Sequence, residues 1–242
     1  MLPHLAVWQW LLGAFCALAV GIAKTGVPGL GILVVPLMVL AVGDARLSAG
    51  WLLPMLCTAD IFAVILWRRH AAAGKLFSLA PWVAAGMLLG AAALALPERI
   101  LRTVVGVIVF LMMFAYLYRR LRSDERIPAH PAPYGVAAGF ATTVANAAGP
   151  VMNLYLLGKR LTKEEFVATG AWFFFLINLT KLPIYAGHGL FNRTSLLFDA
   201  AMVPMILVGA AAGRWLVNQM SPRIFEVLVI ALTFISTLLL FV

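Results

Sequence analysis

Apolar residues fill the chain in long runs, broken at intervals by short polar or glycine-rich stretches. Six runs stand clear, at 48–67, 76–96, 100–118, 164–187, 195–213 and 223–242. Each is near the ~20 residues that an α-helix needs to cross the hydrocarbon core of a bilayer. Two further regions, 5–42 and 133–158, are apolar but interrupted. The first breaks at Lys24-Thr25-Gly26-Val27-Pro28-Gly29-Leu30-Gly31, and the second at Thr142-Thr143-Val144-Ala145-Asn146-Ala147-Ala148-Gly149-Pro150. The segments flanking the second break, 135–145 and 150–158, are too short to span ~30 Å at ~1.5 Å per residue and reach only the midplane. The long polar stretch 119–133 reads as a linker between two halves.

The halves repeat. Gly21 aligns with Gly139, Lys24 with Thr142 and Asp60 with Asn178, all at a shift of 118 residues. Gly86 and Gly90 match Gly209 and Gly213 at a shift of 123, and Arg99-Ile100-Leu101 matches Arg223-Ile224-Phe225 at 124. An ordered series along the whole chain marks a duplication.

Basic residues orient the halves, because cytoplasmic loops carry an excess of Lys and Arg. If each interrupted region crosses once, the loop and helix-end charges divide eight against eight. If each is a hairpin that enters and leaves on one side, they divide twelve against four. The hairpin arrangement wins. It predicts an all-α integral membrane protein of two inverted repeats, each a broken or re-entrant helical hairpin followed by three transmembrane helices. The first repeat covers 1–120, a cytoplasmic linker 121–132 and the second repeat 133–242, with both termini periplasmic. The first ten residues hold no Lys or Arg, so the start of the chain reads as a span and not as a signal peptide. Inverted repeats with discontinuous helices place a transporter's site at the repeat interface, near the midplane.

Composition agrees. Hydrophobic residues make up 64% and charged residues 11% of the chain, with a mean hydropathy of +1.01. A soluble domain carries roughly 25% charged residues. Soluble enzymes, nucleic-acid readers and secreted disulfide scaffolds are excluded, and the bilayer is the expected environment. The net charge of +9 belongs to cytoplasmic loops. Cys16 and Cys57 lie inside apolar runs, form no CxxC pair and read as small hydrophobes.

Of the 18 Lys and Arg residues, 16 fall in loops or at helix ends; Lys24 and Lys181 do not. A lysine near the bilayer centre costs about 2.5–3.5 kcal/mol on insertion scales. It snorkels, pairs with a carboxylate such as Asp60, or faces an anion. The breaks favour the anion. Gly26, Gly29, Gly31 and Gly149 expose backbone N–H groups, and the helices restarting near Gly29 and Ala147 aim their positive ends at the breaks. Thr25, Thr142, Thr143 and Asn146 add side-chain donors at the same depth, and Asn178 lies one turn from Lys181. The candidate anion-binding set is therefore Lys24, Thr25, Gly26, Gly29, Gly31, Thr142, Thr143, Asn146, Gly149, Asn178 and Lys181. Asp60, deep in a span, is the proton-coupling candidate, with a structural counter-charge as the equal reading.

Other residues carry less. Asp199 and Glu226 lie near span ends and read as half-solvated. His4, His70, His130 and His188 are scattered without metal-ligand spacing, so neither a metal nor a cofactor is expected. Trp172 could line a substrate path, whereas Phe173, Phe174 and Phe175 read as packing. The Gly-x-x-x-Gly pairs point to close helix contact within the monomer, leaving monomer or homodimer as the assembly. No nucleophile–base pair, zinc helix or phosphate loop occurs, so the chain is not expected to be an enzyme.

The glycine-rich break leading into an apolar stretch that ends in proline, Gly21 through Pro36, and its second copy, Gly139 through Gly158, resemble the sulfite exporter TauE/SafE family of small bacterial membrane proteins. The resemblance extends over nearly the whole chain. It implies movement of a sulfur-containing or small organic anion, such as sulfite, thiosulfate or a sulfonate like sulfoacetate, across the inner membrane. The expected function is a secondary transporter of that anion, coupled to protons or another ion or driven by the membrane potential. The alternatives are an anion channel, an accessory membrane protein and, least favoured, a membrane-embedded enzyme.

Overall fold

A computed structural model describes residues 5–93, 95–121, 130–159 and 161–241. Every regular element among them is helical. In chain order they are α1 (Val7–Thr25), α2 (Val34–Val42) preceded by a 3-10 turn at Leu30–Leu33, α3 (Ala45–Trp67), α4 (Ala73–Ala93), α5 (Glu98–Leu121), α6 (Pro131–Ala145), α7 (Ala148–Leu157), α8 (Lys163–Gly187), α9 (Arg193–Gln219) and α10 (Pro222–Leu238). Six of them, α1, α3, α4, α5, α8 and α9, are long and apolar enough to cross a membrane. The expected linker lies mostly outside the described residues.

Local chemistry explains where helices start and stop. Asp44 caps α3 by accepting from the Leu47 N–H at 2.7 Å. Thr162 and Glu165 form a reciprocal capping box on α8, and Ser221 caps α10. These side chains satisfy N–H groups that a helix start leaves without partners. The two expected breaks form where the sequence places residues that tolerate left-handed backbone. Gly29 has φ of 104°, a conformation that suits glycine, and Asn146 has φ of 52°, which asparagine adopts more readily than most residues.

Packing crosses the sequence halves. One buried cluster joins α1, α2 and α3 with Phe198, Met202 and Ile206 of α9. The other joins α6, α7, α8 and α10 with Leu79 and Val83 of α4 and Val105, Val109 and Met113 of α5. Thus α9 packs mainly with the first half, although its Val217 joins the second cluster, and α4 and α5 pack with the second half.

The same glycines make both exchanges. A Cβ on Gly21 would collide with the carbonyl oxygen of Ile206, and one on Gly209 with that of Leu18. A Cβ on Gly139 would collide with the carbonyl oxygen of Val83, and one on Gly86 with that of Val136. Backbones approach this closely only where no side chain intervenes. Further along these crossings Gly213 sits against Thr25 and Gly90 against Thr143. The Gly-x-x-x-Gly pairs therefore act within the monomer. Pro81 and Pro204, inside α4 and α9, stand at the same 123-residue shift as these glycines.

Candidate functional site

Where the two breaks meet, between the two buried clusters, the protein encloses a cavity of about 130 Å³. Lys24, Gly29 and Gly31 line it from the first half, and Thr142, Asn146, Gly149, Asn178 and Lys181 from the second. Eight of the eleven residues proposed from the sequence are therefore brought to one place.

The two lysines differ. Lys24 Nζ lies 2.7 Å from Asp60 Oδ1 and 4.4 Å from the centre of the Phe174 ring. Asp60 is fully buried, and its second oxygen accepts from Asn178 Nδ2 at 2.7 Å. The carboxylate is thus held from both sides. Lys181, only 6% exposed, donates to Thr142 Oγ1 at 2.8 Å and to Asn146 Oδ1 at 2.7 Å. Both acceptors are neutral. Lys24 is thus paired with a carboxylate, whereas Lys181 meets neutral oxygens in surroundings where an unpaired charge is costly.

The restarting helices present their first turns to the cavity. Gly29 and Gly31 lie at the start of the 3-10 turn, and Ala147, Ala148, Gly149 and Pro150 at the start of α7. Neither start has a side-chain cap. The remaining wall is largely apolar, with Leu52, Leu56, Met152, Leu156 and Phe166 among its members.

Three proposed residues are placed elsewhere. The Thr25 hydroxyl donates to the carbonyl oxygens of Gly21, at 2.9 Å, and Ala210, at 2.8 Å, and so joins α1 to α9. Gly26 is pressed against the Gly213 backbone. Thr143 donates to the Gly139 carbonyl at 2.9 Å and faces Gly90. The physical reason is shared: on a helix, Thr25 and Thr143 follow their lysine or threonine neighbour by about 100°, which turns them from the cavity to the glycine crossing. Trp172 is not in the cavity wall either; it meets Phe175 edge-on, and Phe174 takes the place beside Lys24.

Two cavity residues escaped the sequence reading. Asn153, 2% exposed, donates to Thr233 Oγ1 at 3.1 Å, and Ser236 Oγ lies 3.4 Å from the Gly29 carbonyl oxygen. A buried amide in the otherwise apolar α7 was the available signal. Glu226 is half-solvated as expected and binds Arg120 as well as Tyr116 Oη, the latter at 3.0 Å. Asp199 is not half-solvated: it is 6% exposed, because α9 begins six residues before it and α1 and α3 cover that end. Cys16 and Cys57 are free thiols, Cys16 in the core.

These features define a multi-pass helical membrane protein whose broken helices meet at a buried cavity lined by two lysines. The family model described as sulfite exporter TauE/SafE matches residues 13–240, and the chain belongs to that family of transporters. No curated protein and no solved structure matches it.

Proposed function

We propose that the protein is a secondary transporter that holds a small sulfur-containing or organic oxyanion, of the kind exemplified by sulfite, thiosulfate and sulfoacetate, at the meeting point of the two breaks. The observation that carries this reading is Lys181: a buried lysine whose Nζ reaches only two neutral oxygens and which lines the cavity. An oxyanion there gains charge-assisted hydrogen bonds from Lys181 and from uncapped N–H groups at two helix starts. Lys24 joins when the anion draws it from Asp60. Each such bond contributes about 1.5–3 kcal/mol.

The halves are inverted repeats in this reading, and each break is a hairpin that returns to its own side. Three observations support it. The crossing of α1 on α9 and that of α6 on α4 use the same glycines. Asp60 and Asn178, equivalent at a shift of 118, bond to each other, as expected of residues beside a pseudo-twofold axis. At ~1.5 Å per residue, α6 and α7 rise about 22 and 15 Å, less than the ~30 Å hydrocarbon core. The bacterial inner membrane is the corresponding location, with the termini outside.

Purified protein reconstituted into liposomes tests the function. Saturable uptake of labelled sulfite, thiosulfate or sulfoacetate, accelerated by the same anion trapped inside, is expected. Flux that neither saturates nor shows this acceleration marks a channel, and no flux with any of the three marks an accessory protein.

A further inference from the structure

Asp199 carries a carboxyl group for which the site above has no use. It lies on α9 about 10 Å along the helix from the Asn192 cap, and it is buried there. Ser195, Met202 and Ile206, at helical spacing on the same stripe, are buried with it. Met202 and Ile206 pack against Cys16, Ala17 and Val20 of α1 and against Trp51 and Met55 of α3. Among the described residues, neither carboxyl oxygen of Asp199 has a hydrogen-bond partner.

Polar neighbours at that level are already occupied. The Ser195 hydroxyl donates to the Asn192 carbonyl at 2.9 Å, and the Gln9 amide donates to the Ala41 carbonyl at 2.8 Å. Phe198 is enclosed by Trp10 and Trp51 at ring-centre distances of 5.2 and 5.0 Å and by Gly13. On α1 and α3 the titratable and charged groups are the Cys16 thiol and Lys24, and Asp44, Arg46, Cys57 and Asp60; Lys163 of α8 meets α9 at its far end, at the Val217 carbonyl. On α9 itself they are Arg193 and Arg214. None of them hydrogen-bonds or ion-pairs with Asp199. Lys24 is committed to Asp60, and Arg214 sits over the Trp67 ring at the other end of α9.

A carboxylate buried in such a place has neither water nor a counter-charge, and a bound proton is the partner that removes the cost of burying it. The neutral acid in turn needs only a proton, which α9 can exchange with water at its Arg193 end if its cover on α1 and α3 parts. We propose that Asp199 is a proton-binding site, closed in this conformation, through which a proton is taken up and released as the anion crosses. The inference rests on the transport reading for its coupling to the anion. The exchange balances by itself: a hydronium O–H bond breaks as the carboxylate O–H bond forms, leaving water, and the reverse step returns the proton to water.

The test combines infrared spectroscopy with proton flux in proteoliposomes, using sulfite as the probe anion. A neutral carboxylic acid shows a carbonyl stretch that a carboxylate lacks. The wild-type protein at neutral pH is expected to show this band, D199N to lose it, and D60N to keep it. A sulfite gradient is expected to move protons in the wild type, whereas D199N keeps sulfite–sulfite exchange and moves none. Absence of the band from the wild type, or proton movement retained by D199N, overturns the proposal. If sulfite does not move at all, the transport reading fails for sulfite and the infrared titration alone decides. A wild-type band that vanishes reversibly as pH is raised supports the proton site, and one that is absent or persists at every pH overturns it. The titration uses only the wild type, so it does not depend on any variant folding.

Discussion

Lys24 and Lys181 line the same cavity, but their removal has different consequences. Lys24 is the counter-charge of a fully buried carboxylate. Deleting one partner of a buried pair leaves the other unpaired, at a cost of about 3–5 kcal/mol. Lys24→Met is therefore expected to lower the thermal unfolding temperature, and Lys24→Met combined with Asp60→Asn to recover much of the loss. Equal instability of the single and double variants would contradict the pairing. Lys181→Met removes an ammonium that has no carboxylate partner and leaves only the neutral oxygens of Thr142 and Asn146 behind. It is expected to unfold near the wild-type temperature while binding sulfite, thiosulfate or sulfoacetate roughly ten- to hundredfold more weakly, the equivalent of one charge-assisted bond. Ligand-induced thermal stabilisation reads both effects, and a wild-type stabilisation in Lys181→Met would place the anion elsewhere.

At the scale of helices, the crossings of α1 on α9 and of α6 on α4 depend on glycine because carbonyl oxygens occupy the space of the absent Cβ. Gly86→Ala and Gly209→Ala are each expected to force the backbones apart and to destabilise by about 1–3 kcal/mol, the range for overpacking. Gly74→Ala, in the first turn of α4 with open space around it, is the control and is expected to leave stability unchanged or slightly higher. Gly149 also has open space, but its space is the cavity. Gly149→Leu is expected to fold and to lose anion binding. Thermal unfolding in detergent with and without sulfite separates the three classes. An unchanged melting temperature in Gly86→Ala would show that the crossing can open freely.

For the whole molecule, the proposed inverted arrangement makes a definite forecast about sidedness. A reporter active only in the cytoplasm, fused after residue 242, is expected to be silent, and the same reporter inserted within 121–132 to be active. A strong signal from the C-terminal fusion would restore single crossings and remove the inversion. The exchange of α4 and α9 between the halves bears on how the protein moves. Each sequence half leans on a helix of the other, so a shift of one buried cluster against the other carries helices from both repeats. The cavity lies on the seam between those clusters.

The helical class, both breaks and eight cavity residues were legible in the chain itself. Runs of about 20 apolar residues have one stable backbone solution in lipid, and a lysine inside such a run must face something polar. The ordered recurrence of Gly21 as Gly139 and of Asp60 as Asn178 is likewise a property of the chain, and the two-repeat reading rests on it. Sequence order did not say which half α4 and α9 serve, because that choice is made by glycine faces pressing together across the molecule. It did not separate Thr142, in the cavity, from Thr143, in the crossing: neighbours on a helix face different ways, and only packing decides which way is inward. Nor did it divide the two lysines, one neutralised by Asp60 and one left with neutral partners. That difference belongs to side chains far apart in the chain, and it is the tertiary structure that sets how much charge the cavity keeps for an anion.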